Sequence, residues 1–396
     1  KGFEQAFSNI YTDISASKIA EFWKARLEYD HPLEDKFTFD RKDVLFLVIT
    51  CLISGILIKI PQIFDINLKE FLFYEKNAAL IVFLGLSIYA FLNKESISKK
   101  ALMYSAGAFL IAAIYINLLP SVEESNSMIL AYLHLPLFFW CVYGLIYTDY
   151  DTKDKMKRID YIKYNGDLAI LSGLILIAGG ILTAVTTGLF KAIDLNIDQF
   201  YVQYIAVSGL VSAPVVATYV IRNYPSVTNK IAPIIATIFS PLVLITLFIY
   251  LISIPFAGKD PYNDRNFLMI FNLMLLGVMG IITFSISETS IHKKQKFNEL
   301  IVFGIVVLTL IIDLVALSAI VYRVGEYGFT PNRTAVLGSN ILIFCNLVLI
   351  MRDLYRVNFQ NRDIRQVELT IAGYLPIYAA WTILVVFGFP LVFGLK

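Results

Sequence analysis

Charged residues are scarce in this chain. They make up 16% of its 396 residues, whereas 58% are hydrophobic and the mean hydropathy is +0.69. Soluble domains carry about 25% charged and about 45 to 50% apolar residues, so the composition excludes an ordinary soluble protein. We therefore expect the lipid bilayer as the partner of the chain, and no nucleic acid.

Cysteines and catalytic motifs are also few. Cys51, Cys141 and Cys345 each lie inside an apolar run, where a free cysteine behaves as a small hydrophobic side chain. We expect no disulfide, no metal and no cofactor. The chain has no Gly-x-Ser-x-Gly, His-Glu-x-x-His or phosphate-loop pattern. The sequence therefore does not predict an enzyme. Catalysis would need a site of an unfamiliar type inside the membrane.

What the chain does have is long apolar runs. An apolar helix of ~20 residues crosses the ~30 Å hydrocarbon core of a bilayer, and none of the runs shows the polar-apolar alternation of a membrane β-barrel. The sequence therefore predicts an all-α fold, a polytopic transmembrane helix bundle with about 11 spans. The runs are residues 44–60, 78–92, 101–119, 128–147, 168–190, 200–221, 231–254, 267–286, 300–321, 334–350 and 369–393.

Basic residues are divided unevenly between the two sides that alternating spans define. If the N-terminus and every second loop lie on one side, that side carries 24 of the 33 Lys and Arg residues. Short loops rich in Lys and Arg stay in the cytoplasm. We therefore predict a cytoplasmic N-terminus and a C-terminus outside.

Residues 1–43 precede the first run, and residues 44–396 form the predicted transmembrane helical domain. Within the first part, residues 2–29 place apolar side chains at helical spacing, with Lys and Glu on the other face. An amphipathic helix with Lys, Trp and Phe beside a membrane span lies in the interface or packs on the loops. We predict a cytoplasmic or interfacial amphipathic segment over residues 1–43.

Asp313 is a carboxylate inside the ninth apolar run. A carboxylate at such depth costs roughly 2.5 to 3.5 kcal/mol and usually faces the bundle interior or a wet cavity. It is either a group that takes up and releases a proton or cation, or a structural side chain held by hydrogen bonds. The partners that we expect for the structural alternative are Asn117, His134, Asn272, Thr309 and Asn346.

Three of these residues are candidates for an intramembrane site in their own right. His134, Asn272 and Asn346 lie in the fourth, eighth and tenth runs. His134 has no second His or Cys at ligand spacing, so a packing histidine is favoured over a metal ligand.

A dense polar segment follows the Asp313 run, and the predicted orientation places it on the outer face. It reads Arg323-x-x-Glu326-Tyr327-Gly328-x-Thr330-x-x-Arg333. Arg side chains bind carboxylates and phosphates through a planar fork. We consider two alternatives, an ion-paired lid and an outer site for an anionic head group. The candidate residues on this face are Arg323, Glu326, Tyr327, Thr330, Arg333, Asp194, Asp198, Asp260 and Asp264.

The segment Asp194-Leu-Asn-Ile-Asp198 resembles the first half of a calcium loop. The sixth position is Gln199 rather than glycine and no glutamate stands at the twelfth, so a calcium site is not expected.

The fifth to eighth runs contain glycines and prolines, among them Gly173, Gly179, Pro214, Gly277 and Gly280. Small residues allow helices to approach closely, while proline frees a backbone carbonyl. Either these runs pack tightly with ordinary kinks, or they form a broken-helix core around a pathway.

The polar segment from Arg323 to Arg333 resembles a signature of the bacterial domain of unknown function 4153 membrane proteins. Similar elements are Ile162-Lys-Tyr-Asn165-Gly166 and Ser240-Pro-Leu242, and the resemblance covers about residues 140–355. It implies a bacterial inner-membrane protein of unassigned activity, and supplies no chemistry.

These features predict an integral membrane protein that transports or handles a lipid or solute, with an outer-face polar site. The alternative is a structural, assembly or sensor subunit of a cell-envelope complex, which would have a membrane-protein partner.

Overall fold

The computed structural model describes residues 7, 11, 17, 19–20, 22–23, 41–64, 66–67, 71–94, 96, 98–120, 125–191, 197–224, 240–252, 262, 265–289 and 296–394. The chain divides into two compact units, Lys1–Val44 and Leu45–Lys396. This boundary lies one residue from the predicted one.

In the first unit, the described residues include two aromatic pairs. Phe7 and Tyr11 are one helical turn apart, with ring centroids 5.6 Å from each other. The rings of Phe22 and Trp23 meet edge to face at 6.1 Å. Most of the predicted amphipathic helix lies outside the described residues, and its interfacial position stays a prediction.

The described part of the second unit is helical and contains no strand. Its main helices are α1 (Arg41–Leu57), α2 (Phe73–Leu92), α3 (Lys99–Leu118), α4 (Asn126–Tyr147), α5 (Lys155–Lys191), α6 (Asp198–Asn223), α7 (Ser240–Ile252), α8 (Arg265–Thr289), α9 (Lys296–Tyr327), α10 (Pro331–Gln360) and α11 (Arg365–Val392). Eight of them, α2 to α6 and α9 to α11, are long and apolar enough to cross a membrane. The chain is therefore a multi-pass membrane protein.

Each of the eleven predicted runs overlaps one of these helices, so the all-α helical bundle is confirmed. The run that looked too short, residues 78–92, belongs to a helix of 20 residues that begins at Phe73. The last run continues through Pro376 and becomes a π-helix at Leu384–Gly388, just before Pro390. The described part of the seventh run is the shorter helix Ser240–Ile252.

Several helix ends differ from the ends of the apolar runs. Helix α5 begins at Lys155, well before the predicted start at residue 168, and α9 continues past residue 321 to Tyr327. The early turns of α5 bury Ile159 and Tyr161, so they are held by packing despite their charged neighbours. Hydropathy reports which residues suit the hydrocarbon, whereas a helix extends until a capping residue ends it.

The two largest hydrophobic cores described in the second unit lie on different helices. One is built mainly from α8, α9 and α10, with contributions from α5, α7 and α11. The other is built from α2, α3 and α4 and receives Val386 of α11. Helices α4 and α11 also pack against each other. The space between the two cores is where the candidate site lies.

The link between α9 and α10 is short and tightly capped. Gly328 follows the last residue of α9 with φ +73°, and its N–H donates to the carbonyl of Val324. Thr330 caps α10 because its side chain accepts a hydrogen bond from the Arg333 N–H at 3.3 Å, and Pro331 occupies the first turn. These are the ordinary signals for a helix end and a helix start.

Substitution of Gly328 tests the conformation of this link. We expect Gly328→Ala to lower the free energy of unfolding by about 1 to 2 kcal/mol, because a side chain disfavours the left-handed region. Gly325→Ala is the control, since Gly325 lies within α9 with open space around it. That variant should be neutral or stabilising by up to about 1 kcal/mol. Thermal unfolding of the detergent-solubilised protein measures both, and equal effects would contradict the assigned backbone.

Candidate intramembrane binding site

A cavity of about 610 Å³ lies between α4, α5, α8, α10 and α11. None of its lining residues is Asp, Glu, Lys or Arg. Most are aliphatic or aromatic, and a few polar side chains stand among them. Sites for small molecules have this size and this composition.

Two tryptophans line the cavity, and each is fixed by a hydrogen bond from its indole nitrogen. Trp140 donates to Asn165 Oδ1 at 2.8 Å. Trp381 donates to Ser339 Oγ at 3.0 Å. Trp381 also packs on Gly338, where an added Cβ would overlap the indole ring. The aromatic walls are therefore held in place by α5 and α10.

Tyr378 and His134 bring polar groups to the same cavity. The Tyr378 hydroxyl accepts a hydrogen bond from Asn346 Nδ2 at 3.0 Å. His134 Nδ1 lies 2.8 Å from the carbonyl oxygen of Leu130. That nitrogen must carry the proton in order to donate, so Nε2 of the neutral ring is an acceptor.

Two glycines, which have no side chain, leave space in the cavity. Gly277 and Gly280 of α8 line it, and an added Cβ at either position would meet no atom within 4 Å. At Gly166 of α5, in contrast, a Cβ would overlap the ring of Phe284. Gly277 and Gly280 therefore border open space, whereas Gly166 allows Phe284 to approach α5 closely.

The cavity reaches the outer surface of the bundle. Leu137 of α4 and Leu276 of α8 line it while being 46% and 56% exposed. Exposed leucines within apolar spans face lipid. A molecule dissolved in the bilayer therefore has a lateral path into the cavity between α4 and α8.

Asp313 lies in α9 behind this cavity, not on its wall. Its side chain is fully buried, and among the described residues neither carboxylate oxygen has a hydrogen-bond partner. The carboxylate interacts electrostatically with the Tyr378 hydroxyl. Tyr378, unlike Asp313, lines the cavity.

Among the described residues, the partners predicted for Asp313 bond elsewhere or not at all. Asn117 pairs with Asn77 through two hydrogen bonds of 2.8 and 3.0 Å. Thr309 donates to the carbonyl of Ile305 on its own helix at 2.7 Å. Thr309 thus bonds within its own helix, and Asn117 bonds to a neighbouring helix. The position of a residue within an apolar run does not reveal which of these partners it takes.

The remaining predicted partners point away as well. Asn346 donates to Tyr378 and His134 bonds to Leu130. The side-chain oxygen of Asn272 is buried and has no partner among the described residues. Of the predicted intramembrane candidates, His134 lines the cavity and Asn346 supports it, whereas Asn272 belongs to neither group.

The polar segment from Arg323 to Arg333 is mostly helix. Arg323, Glu326 and Tyr327 belong to the end of α9, and Arg333 lies in the first turn of α10. Within the described residues, Arg323 and Glu326 form no ion pair, and Arg323 Nη1 is buried without a hydrogen-bond partner. The ion-paired lid is therefore not what holds this segment.

Arg333 instead caps the end of α9. It donates to the carbonyl oxygens of Tyr327 and Gly328 at 2.8 and 3.0 Å, and its guanidinium lies 5.3 Å from the centroid of the Tyr327 ring. A cation at the last carbonyls of a helix favours its C-terminus. Nη1 of Arg333 is therefore used within the link.

Of the four acidic loop candidates, Asp198 belongs to the described residues. Asp194, Asp260 and Asp264 lie outside the described residues. Asp198 is the first residue of α6 and is half-buried. Across the described ranges, no group of three or more His, Cys, Asp or Glu side chains is placed to hold a metal ion. Cys51, Cys141 and Cys345 are free, and Cys141 lines the cavity.

The sequence did not single out the residues that build the cavity wall, namely Trp140, Asn165, Ser339, Tyr378 and Trp381. One feature of the sequence could have indicated them, namely the position of the tryptophans within the apolar runs. Trp in membrane proteins is enriched at the interfaces, whereas Trp140 lies seven residues before the end of α4 and Trp381 lies deep within α11. Tryptophan away from a helix end therefore marks an internal surface.

No known protein family, curated protein or solved structure is detectably similar to the chain. The resemblance to the domain of unknown function 4153 proteins stays a prediction. Assignment of function consequently depends on the cavity itself.

Two buried aspartates give a matched test of the site. Asp353 has a fully buried side chain like Asp313, but it accepts hydrogen bonds from Thr370 at 2.6 Å and from Arg352 at 3.1 Å. We expect Asp353→Asn to lower the free energy of unfolding by about 1 to 3 kcal/mol, because it leaves buried groups unpaired. Asp313→Asn removes a charge that has no partner, and should leave stability unchanged or raised.

Thermal unfolding of the two variants in detergent distinguishes these outcomes. A destabilisation by Asp313→Asn as large as that by Asp353→Asn would show that the Asp313 carboxylate is bonded in the folded protein.

Proposed function

We propose that this multi-pass membrane protein binds a lipid-like molecule in the cavity between α4, α5, α8, α10 and α11, and that lipid handling within the bilayer is its function. The observation that carries the proposal is an apolar cavity of about 610 Å³ with a few polar groups on its wall. Burial of apolar ligand surface would supply the binding energy, at about 25 cal/mol per Å² removed from water.

Access from the bilayer supports a lipid-like ligand over a water-soluble one. The half-exposed rim residues Leu137 and Leu276 give the cavity an apolar entrance. A polar solute would have to leave water and pass lipid-facing side chains, with no charged residue on the wall to compensate for its lost hydration.

A role in coupled transport is the second candidate, and Asp313 is its basis. An intramembrane carboxylate is a functional-site hypothesis by default. The absence of a hydrogen-bond partner among the described residues favours a titrating role over a structural one. The outer-face polar site receives less support, because Arg333 is engaged in capping α9.

The proposed location is the bacterial inner membrane, with a cytoplasmic N-terminus and a C-terminus outside. The distribution of 24 of 33 basic residues supports the orientation, and the family resemblance supports the bacterial location. The envelope-subunit alternative and its membrane-protein partner remain predictions without a structural observation in their favour.

The cavity contains its own reporter for an occupancy experiment. Trp140 and Trp381 line it, and the chain has only one other tryptophan, Trp23. In a Trp23→Phe background, all tryptophan emission comes from the cavity wall. We expect bromohexadecane, whose bromine quenches a ring that it contacts, to quench this emission saturably in detergent.

A pair of glycine substitutions supplies the control. Gly280→Leu places a side chain in the cavity, whereas Gly180→Leu places one on α5 in open space away from it. We expect Gly280→Leu to weaken quenching several-fold and Gly180→Leu to leave it unchanged. Equal quenching in the two variants would contradict binding in the cavity.

A further inference from the structure

The polar groups on the cavity wall define which kind of lipid head the site accepts, an inference that rests on the proposed function. Most of these groups are already paired. Asn165 accepts from Trp140 and donates to the Tyr161 carbonyl. Thr382 donates to the carbonyl of Tyr378 at 3.0 Å. These side chains have little left to offer a ligand.

Two hydroxyl groups on the wall accept a hydrogen bond and keep an unused proton, and a third hydroxyl residue, Thr283, also lines the cavity. The Tyr378 oxygen accepts from Asn346, and the Ser339 oxygen accepts from Trp381. A hydroxyl that accepts one hydrogen bond still has its own proton to donate. Among the described residues, neither proton has an acceptor. Both hydroxyls belong to residues that line the same cavity, on the neighbouring helices α10 and α11.

One acceptor completes the set. His134 lines the cavity and uses Nδ1 toward Leu130, so Nε2 of the neutral ring is left as an acceptor. Two hydroxyl donors and an imidazole acceptor match a group that accepts or exchanges hydrogen bonds without charge. A carbonyl oxygen can accept from both hydroxyls, and an alcohol can also donate to the imidazole.

Charge argues against ionised heads. The wall has no Lys or Arg to pair with a phosphate or carboxylate, and burying such an anion without a cation is costly. The Asp313 carboxylate behind Tyr378 adds a negative field when it is ionised. An alkylammonium head would have no acidic partner on the wall itself.

We propose that the cavity binds a neutral lipid whose polar end is a single hydroxyl or carbonyl group, held by the hydroxyls of Tyr378 and Ser339 and by His134. Phospholipids and ionised fatty acids are excluded by the absence of cationic side chains on the wall. Tyr378 and Ser339 are therefore the residues that determine specificity, whereas the apolar wall determines affinity for the tail.

A series of probes with one tail and different heads tests this inference. Dibrominated stearyl alcohol, dibrominated stearate and dibrominated stearylamine are titrated into the Trp23→Phe protein in detergent, in buffer alkaline enough to ionise the stearate. We expect the alcohol to quench the cavity tryptophans with at least about fivefold higher affinity than the other two, the ratio for one hydrogen bond. Equal affinities, or a preference for stearate or the amine, would overturn the neutral-head inference.

The series separates the two proposals. If all three probes quench alike and Gly280→Leu weakens them all, the cavity binds apolar tails and only the head-group inference fails. If no probe quenches saturably, the proposed function fails as well.

Two variants test whether the Tyr378 and Ser339 hydroxyls bind the head of the lipid. Tyr378→Phe and Ser339→Ala should each weaken the alcohol about fivefold and leave binding of the amine unchanged. A variant that misfolds would lose all three probes together, so the ratio of alcohol to amine affinity reports recognition alone. An unchanged ratio in both variants would show that these hydroxyls do not bind the head.

Discussion

The structure depends on one constraint, that polar groups in a hydrocarbon environment must be satisfied within the protein. Helices satisfy the backbone, and polar side chains then bond from one helix to the next. Tyr143 and Tyr164 join α4 to α5 at 3.0 Å, and Tyr164 reaches Thr218 of α6 at 2.7 Å. Ser240 and Ser285 join α7 to α8 at 2.8 Å. Because lipid tails are as apolar as leucine, such bonds and close packing determine which helices become neighbours.

The cavity is a consequence of how these neighbours are arranged. The helices around α8 to α10 pack into one core, and α2 to α4 pack into another. Helix α11 contributes residues to both. On the α8 side of the gap, Gly277 and Gly280 provide no side chain to fill it. On the opposite side, Trp140 and Trp381 are held by hydrogen bonds and do not collapse inward. A rigid aromatic wall facing glycines leaves a defined space.

The sequence predicts the helices well because an apolar run is a local property. It predicts their ends less well, as α9 shows, because Gly328 ends α9 and Thr330 begins α10 through backbone conformation and capping, not through hydropathy. The depth and burial of Asp313 follow from its place in the ninth run, but its lack of partners does not. Whether Asn346 bonds to Asp313 or to Tyr378 depends on the rotation of α10 against α11, which no local pattern contains.

The same dependence on rotation explains why the sequence did not point to the cavity. The sequence is most polar from Arg323 to Arg333, yet those groups stabilise a helix link. The groups that face the cavity are isolated polar residues in apolar runs, and each is informative only after its partner is known. Tyr378 illustrates the point: its oxygen is occupied by Asn346, and Asp313 interacts with it without accepting its proton. That the Tyr378 proton remains unused becomes visible only once the partner of its oxygen is known.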